Sequence, residues 1–455
     1  MNRYLGLQSM NRLKWIVGST TLFIAALYPS RNHLDTVMAL QLARDGESTN
    51  QWTSIYFRFI EYSSAFGRFP FIPAILGLLS LTLAAVYFVR SLPLTERGKR
   101  VSSIAICATP FVGVFGMTLT HEVQTVSGAL VLSGILIRRQ IDRDYSANPI
   151  LILVAIIACV MTFVGILISA GFLLGLLSKE NWKKTLASIA VLGLFAISSD
   201  SLLRVDKVGS ATNLQAFLGD LKCVAQHPDA SISVEQWKVF ESFGAREGWT
   251  NPTTCSITSV TVMFTAPQVE GRERELLRLW LEIIRQNPQI ALQARIQRSA
   301  MALPPPFFQS QPNYSSRNYL EPVGLGTQDD LQQWSPIFKT SNDDPYQKEN
   351  FPAPSIFKPL EYLVLLPAFI INSQSWFWGW GGLWFVVFLV VLIVGTRLSY
   401  KSISRIVLPH IFTIVGLFIG SPVSDPRYAM TLTCVGLFTS IAFLVDFLVK
   451  RRATL

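Results

Sequence analysis

The sequence predicts an all-α polytopic membrane protein with about ten transmembrane helices. One large, mainly helical extracytoplasmic domain is expected to be inserted before the C-terminal helices. Of the 455 residues, 50% are hydrophobic and only 15% are charged, whereas soluble domains carry roughly 25% charged residues. The apolar residues form blocks long enough to cross about 30 Å of hydrocarbon. Lys and Arg gather between those blocks, which is typical of cytoplasmic loops.

The N-terminal transmembrane module is predicted to cover residues 1–203. Three basic residues, Arg3, Arg12 and Lys14, precede the first apolar run at 15–27 and place the N-terminus in the cytoplasm. No small-residue cleavage site follows that run, so we expect a retained helix rather than a signal peptide. Further spans are expected at about 69–89, 101–118 and 123–137.

The apolar run at 149–177 is too long for one ordinary span, since it has about 29 residues at 1.5 Å rise each. Basic residues flank it on both sides, which places both of its ends in the cytoplasm. We therefore predict a hairpin of two short or tilted helices that turns near residues 163–165. The next span, at about 185–203, returns to the outside.

The second predicted module, residues 204–358, is the one large polar block and is expected to lie outside. Helical patterns occupy its first part, and a Pro-rich loop follows Leu303. Cys223 and Cys255 are its only cysteines. Because an extracytoplasmic compartment permits disulfides, we predict that these two cysteines pair. The chain-entropy estimate for such a loop is roughly 3–4 kcal/mol of stabilisation.

The C-terminal transmembrane module is predicted to cover residues 359–455. Its first apolar run, 359–371, is interpreted as a re-entrant or interface-lying helix, because a crossing there would place later basic residues outside. Whether this run crosses the membrane stays open. The final span ends at Lys450, Arg451 and Arg452. The sequence thus predicts a multi-pass plasma (inner) membrane protein with both termini cytoplasmic.

Two short outer loops carry carboxylates suited to catalysis. Asp35 lies in the stretch 28–62, shortly after the first span, and His121 and Glu122 form the turn between the third and fourth spans. A carboxylate close to the membrane surface can act as a general base on an acceptor hydroxyl. We predict that Asp35 and Glu122 are catalytic and that His121 contacts substrate.

The last outer loop carries a cation, Arg427, next to Tyr428. An arginine can hold a phosphate or pyrophosphate through two parallel hydrogen bonds. Positive residues are disfavoured on the outer side, so a negatively charged ligand is the best explanation for this one. We predict that Arg427 and Tyr428 bind substrate, and that the segment containing Trp52 and Tyr56 forms a wall of the same groove.

Each of these residues also has a purely structural interpretation. Asp35 is suited to capping a helix, Glu122 to an interaction with a helix N-terminus, and Arg427 to snorkelling toward the membrane surface. The functional hypothesis requires all three to converge on one cavity. A further group of charged residues is interpreted as a solvated face: Asp45, Glu47, Arg58 and Glu61.

Several segments resemble the GT-C superfamily of polytopic glycosyltransferases. They are LDTVMALQLA and NQWTSIYFRFI in the first outer loop, LTHEVQT in the second, and SDPRYAM before the last span. The resemblance implies a sugar donor linked to polyprenyl phosphate and an extracytoplasmic glycan, lipid or protein acceptor. It also implies that Asp35 is the catalytic base and that Arg427 binds the lipid phosphate.

The chain departs from that family pattern in its acidic motifs. His121-Glu122 stands where related sequences often carry Lys-Asp or a metal-binding acidic pair, and no DxD triplet occurs in the predicted outer loops. We therefore predict no cofactor and assign no metal ligands, although a divalent metal is an open possibility without a motif to hold it.

The alternative function is transport or flipping of lipid-linked glycans, or a non-catalytic role in a membrane assembly. Transporters often show inverted repeats and charged sites near the bilayer midplane. The sequence shows no clear repeat and few charges inside its spans, which favours an enzyme at the outer surface. The expected partners are the polyprenyl-phosphate donor, membrane lipids and the acceptor. Nucleic acid is not expected, because much of the net charge of +10 lies in the short loops.

Overall fold

The structure is a computed structural model. It describes residues 2–28, 31–32, 34–49, 53–142, 144–178, 181–205, 207–208, 214–251, 265, 268–304, 358–372, 377, 380–396, 398–420 and 426–454. The backbone alone is described at 2–13, 31–32, 34–36, 49, 207–208, 368–372, 426–427 and 453–454. The described chain is overwhelmingly helical, as the sequence predicts.

The first half of the chain contains ten helices and four two-residue strands in its described part. In order they are α1 (Asn2–Leu27), β1 (Arg31–Asn32), α2 (Leu34–Asp45), β2 (Ser48–Thr49), α3 (Ser54–Ser63), α4 (Phe71–Ser91), α5 (Glu96–Cys107), α6 (Pro110–Met117), β3 (Thr118–Leu119), α7 (His121–Ile141), α8 (Pro149–Cys159), α9 (Phe163–Gly175), α10 (Trp182–Leu202) and β4 (Lys207–Val208).

The second half begins with amphipathic helices and ends with apolar ones. The amphipathic helices are α11 (Gln215–Gln226), α12 (Val234–Phe243), α13 (Arg246–Thr250), α14 (Glu273–Gln286) and α15 (Pro288–Arg298). The C-terminal helices are α16 (Lys358–Asn372), α17 (Gly381–Gly395), α18 (Tyr400–Gly420) and α19 (Pro426–Thr454).

Four helices of the described chain are long and apolar enough to cross a membrane: α4, α10, α18 and the part of α19 from Tyr428 to Arg452. Helices α5 and α6 together form a fifth candidate, bent by 44° at the break between them. Pro110 at the start of α6 lacks the N–H that a continuous helix would use, which accounts for a break at this point. The chain therefore has the helices of a membrane protein.

The predicted hairpin is present between α7 and α10. Helix α8 ends at Cys159 and α9 begins at Phe163, so the turn lies at 160–162, a few residues before the predicted position. A Cβ atom on Gly165 would collide with the Cys159 carbonyl oxygen, so this close return requires glycine. At 1.5 Å per residue the two helices are only roughly 17 and 20 Å long.

Contacts between helices define two ends of the bundle. One end, here called the loop face, carries α2, α3, the start of α7 and the 160–162 turn; Thr53 of this loop donates a hydrogen bond to Met161. The other end, here called the basic face, carries the end of α4 and the end of α7, where Arg138 donates to the Arg90 carbonyl oxygen. Asp446, near the end of α19, accepts from the Thr95 N–H there.

The segment between α1 and α4 is packed into the main core. Residues 37–43 of α2 are all buried, and Tyr56, Phe57 and Ile60 of α3 pack into the same apolar cluster as Phe115 and Val123. Such burial requires an ordered loop, as the aromatic content of the sequence predicts. The loop is therefore positioned by the same contacts that hold the bundle together.

The amphipathic helices α11–α15 surround a second apolar cluster, formed by residues between Leu214 and Ala291. Trp249 fills its centre and donates its indole N–H to the Phe240 carbonyl oxygen. After this cluster the chain contacts the start of α17, where the N–H of Gly382 donates to the Met301 carbonyl oxygen. The polar block thus has a core of its own and a fixed attachment to the C-terminal helices.

Helix α16 covers the run whose crossing the sequence leaves open. It packs on α1 and α6, contains Pro367, and is too short to count among the membrane-length helices. Tyr362, Leu363 and Leu366 are exposed, while Val364 and Leu365 are buried. This one-sided burial fits a helix lying against the bundle.

Candidate functional site

Two short strands align the first and second loops of the loop face. β1 pairs in parallel with β3, with Arg31 opposite Thr118 and Asn32 opposite Leu119. The offset is 87 residues (118 − 31), and the same offset relates Asp35 to Glu122 (122 − 35). Each strand runs into a helix, and the two helices begin at Leu34 and His121, again at this offset. Both predicted catalytic acids therefore lie in the first turn of a helix, each three residues after the end of one of the two paired strands.

Glu122 is buried and lies in the first turn of α7, with Thr120 at the N-cap. A carboxylate here is favoured by the positive end of the helix dipole. His121 Nε2 lies 3.4 Å from Glu122 Oε1, so protonation of the imidazole would give the acid a cationic neighbour. The edge of the His121 ring contacts buried Tyr56, with ring centroids 5.3 Å apart. The structure thus brings three predicted site residues into one cluster.

The hairpin turn lies directly beside this cluster. One turn along α7 from His121, the Thr125 hydroxyl donates to the Cys159 carbonyl oxygen at 3.1 Å and to the Thr162 hydroxyl at 3.1 Å. The Thr53 hydroxyl donates to the Met161 carbonyl oxygen at 3.0 Å. Broken helices leave carbonyl groups unpaired, and such groups are costly to bury. Thr53 donates to one carbonyl of the turn, and Thr125 adds a second donor to the Cys159 carbonyl, which also accepts the Thr162 N–H; both threonines therefore hold the turn next to Glu122.

A groove opens on the other side of the turn. It has a cavity volume of about 140 Å³ and runs between the start of α3, the turn itself and the end of α10. Thr53 and Asp200 supply polar atoms, and Phe163 and Phe195 supply apolar surface. The Ser54 hydroxyl donates to the Asp200 carboxylate, which ties α3 to α10. Thr53 therefore both lines the groove and donates the hydrogen bond that supports the turn.

The interpretation of Arg58 and Glu61 as solvated residues is wrong. Glu61 is buried and forms an ion pair with Arg58, whose guanidinium also donates to the Leu203 carbonyl oxygen at 2.9 Å through Nε. These contacts attach α3 to the end of α10. The last carbonyl groups of a helix have no partner within that helix, and Arg58 supplies one from α3. The prediction holds for Asp45 and Glu47, which are exposed. A helical pattern with Arg and Glu three residues apart was the available signal for the pair.

The remaining predicted site residues lie partly or wholly outside the described residues. Trp52 lies outside the described residues, and the side chains of Asp35 and Arg427 do as well, although their backbones begin α2 and α19. Tyr428 is half-buried beside Ala302 and Leu417. Convergence of Arg427 with the two acids therefore stays a prediction.

One of the two cysteines of the predicted disulfide lies among the described residues. Cys223 is buried in α11, and its Sγ accepts a hydrogen bond from Arg298 at 3.6 Å. Cys255 lies outside the described residues, so the pairing stays a prediction.

Sequence reasoning missed Thr53, Ser54, Thr125 and Asp200. None of them belongs to a recognisable motif, because each acts through a partner far away in the sequence. Across the parts of the chain that the structure describes, no group of three or more His, Cys, Asp or Glu side chains is placed to hold a metal ion. The arrangement offers carboxylates, an imidazole and hydroxyls beside a half-apolar groove, which suits proton transfer from an amphipathic substrate.

Comparison of the chain with family models, with curated proteins and with solved structures finds no match.

Proposed function

We propose that the chain is a membrane glycosyltransferase that moves a sugar from a polyprenyl-phosphate-linked donor to an extracytoplasmic acceptor. The observation that carries the proposal is the parallel register of β1 and β3, because Asp35 and Glu122 each lie three residues after one of these paired strands, in the first turn of a helix. Two acids at adjacent helix starts, with a histidine and a tyrosine next to one of them, suit general-base chemistry. The resemblance of the loop motifs to the GT-C superfamily supports the same reaction.

The proposed orientation follows from charge. The basic face carries Arg90, Arg138, Arg405 and Lys450, and the positive-inside rule assigns such a surface to the cytoplasm. The loop face and the polar block are then extracytoplasmic. Ten crossings result if α1, α4, α5 with α6, α7, α8, α9, α10, α17, α18 and α19 each count once. That count includes the short α8–α9 hairpin and leaves α16 at the surface.

In the proposed reaction, a carboxylate accepts the proton of an acceptor hydroxyl while the hydroxyl oxygen attacks the anomeric carbon of the donor sugar. The bond between that carbon and the phosphate oxygen breaks, and polyprenyl phosphate leaves with the bonding electrons. Asp35 is assigned as the base, and Glu122 with His121 assists it. Arg427 is assigned to the phosphate, since a guanidinium matches phosphate geometry.

The first prediction tests the two acids against a buried acid of the same loop. Asp35→Asn and Glu122→Gln should each reduce transfer on the order of 100-fold or more, which is the usual contribution of a general base. Glu61→Gln is the matched control, because Glu61 is also buried but pairs with Arg58. The measurement compares surface glycans by mass spectrometry in deletion cells complemented with each variant at equal membrane abundance. Full glycan restoration by Asp35→Asn would remove that residue from the mechanism.

Transport remains the second candidate because of one buried group in the bundle. His410 of α18 is fully buried, and its Nε2 lies 3.2 Å from the Ser133 hydroxyl of α7. Ionisable residues inside a membrane bundle often mark substrate or proton pathways. If His410→Gln abolishes glycan export while Asp35→Asn and Glu122→Gln do not, transport replaces transfer as the function.

A further inference from the structure

The groove beside the hairpin turn is divided into a polar end and an apolar wall. Thr53, Ser199 and Asp200 form the polar end. The wall is lined by side chains of the turn, α9 and α10: Val160, Phe163, Ile166, Leu192 and Phe195. A surface of this kind matches an amphiphile, whose head would meet the hydroxyls and carboxylate while its first carbons contact the wall.

The sign of the charge restricts the head group. Asp200 is the one ionisable residue among the described residues that line the groove, and no lysine or arginine lines it there. Phosphate recognition relies on Arg or Lys, and an anion next to a carboxylate is repelled. The Thr53 and Ser199 hydroxyls donate to the Met161 and Ala196 carbonyl oxygens. The polar atoms of the groove are therefore acceptors, and a ligand hydroxyl can donate to Asp200 or to one of these oxygens. The groove therefore suits an uncharged hydroxyl head and disfavours a phosphate.

The route into the groove leads through the membrane side of α10. Leu194 and Ile197 of this helix are 66% and 84% exposed, and Phe163 at the groove itself is 51% exposed. Only 17% of the most apolar stretch of α10 is buried within the chain, whereas 44–56% of the corresponding stretch is buried in α4, α18 and α19. Exposed side chains of this kind contact lipid, so an amphiphile can reach the groove sideways without leaving the bilayer.

The size of the groove limits what it holds. Its volume of about 140 Å³ is close to that of an engineered cavity of roughly 150 Å³ that holds benzene. The groove therefore has room for one six-membered ring or for a head group with its first carbons. The remainder of a lipid would extend along the exposed face of α10.

We propose that this groove is the acceptor subsite and that it binds an uncharged, hydroxyl-bearing amphiphile delivered from the bilayer. The term acceptor rests on the proposed transferase function, whereas the binding preference rests on the groove alone. Thr53 lies in the groove and also donates to the turn, to which Thr125 of α7 donates as well, so the groove and the helix that carries Glu122 contact the same turn. The phosphate-bearing donor would then bind outside this groove, at the site proposed for Arg427.

The test uses two photoreactive probes with the same diazirine-bearing alkyl tail, one ending in a glucoside and one in a phosphate. The full chain in lipid nanodiscs is labelled with each probe, and adducts are mapped by mass spectrometry. The glucoside should label peptides containing 160–166 or 192–199 at least tenfold more than the phosphate does. Asp200→Asn removes the charge but keeps an acceptor oxygen, so it should narrow this difference to about twofold.

Two substitutions on α10 control for labelling by surrounding lipid. Ala196→Trp fills the groove and should remove most glucoside labelling, whereas Ala190→Trp, at an exposed position outside the groove lining, should leave it unchanged. Equal labelling by both probes, or labelling that survives Ala196→Trp, would overturn the proposal. Because labelling requires no sugar transfer, it can succeed in an Asp35→Asn variant, so failure of the subsite and failure of the transferase function are distinguishable.

Discussion

The loop face and the polar block each bury a carboxylate, but they surround it differently. In the polar block, Asp220 is 1% exposed and forms ion pairs with Arg295 and Arg298, and it accepts a hydrogen bond from the Trp280 indole at 2.9 Å. On the loop face, Glu122 is 5% exposed and lies beside His121, an imidazole that is charged only when protonated. One acid has permanent cations as neighbours, and the other has a titratable neighbour.

The difference separates a structural acid from a candidate catalytic acid. Asp220 forms ion pairs with two guanidinium groups, and desolvation lowers the pKa of Arg295 while the charge of Asp220 opposes that shift. Arg295 also donates to the Ile419 carbonyl oxygen at the end of α18, where a cation is favoured by the helix dipole. The Asp220 network therefore attaches the polar block to the bundle, whereas the neighbour of Glu122 is a histidine, a side chain that can itself take part in proton transfer.

The largest stability effect in this comparison is expected from Asp220→Ala. Removal of one partner from a buried ion pair costs about 3–5 kcal/mol, because the remaining charge stays buried without compensation. Here two arginines would be affected. The measurement is amide hydrogen exchange of α11 and α15 in the full chain, where the free energy of opening should fall by that amount.

The control for Asp220→Ala is Glu275→Ala in the same cluster. Glu275 is exposed and pairs with the half-buried Arg272 at the surface. Its loss should change stability within about 0.5 kcal/mol. If both substitutions had equally small effects, Asp220 would not be structural, and the contrast with Glu122 would no longer hold.

The sequence predicts those parts of the fold that depend on local pattern. The helices of the polar block follow from amphipathic periodicity, and α14 ends and α15 begins at Asn287-Pro288, as proline at a first helical position predicts. The α8–α9 hairpin follows from the length of its apolar run and from the flanking positive charges. Each of these features is contained in a short stretch of chain.

Features that join distant segments could not be predicted in the same way. The β1–β3 pairing involves two residues on each side and has no strand-like pattern, so the common register of Asp35 and Glu122 is seen only in three dimensions. The sequence predicts a solvated Arg58, whereas its partners at Leu203 and Arg204 are main-chain carbonyls, which have no sequence signature. The groove at Asp200 forms only where α3 packs on α10, and the contacting residues Ser54 and Asp200 are 146 positions apart in the sequence.

An intermediate effect is expected at the hairpin turn, where support near Glu122 comes from neutral hydrogen bonds. Thr125→Val keeps the side-chain shape but removes the donor to Cys159 and Thr162, leaving a buried carbonyl less satisfied, which costs about 1–3 kcal/mol. Thr125→Ser is the matched control because it keeps the hydroxyl. Thermal unfolding of the purified chain should rank serine above valine. The opposite ranking would mean that the methyl group, and not the hydrogen bonds, holds the turn.

The smallest effect on stability is expected from Arg58→Lys. This substitution tests whether a permanent ion pair on the loop face stabilises the fold in the same way as the Asp220 network. Lysine keeps the charge beside buried Glu61 but loses the forked donors to Leu203 and Arg204. The loss of such hydrogen bonds costs about 1 kcal/mol. Arg58→Leu should cost more, because it leaves Glu61 buried without its cation, and Arg58→Leu with Glu61→Leu should recover most of that loss. Thermal unfolding of the three variants at equal lipid content measures the ranking. A lysine variant as damaged as the leucine variant would show that the guanidinium stabilises this face through the α10 carbonyls, and the parallel with Asp220 would then be limited to burial.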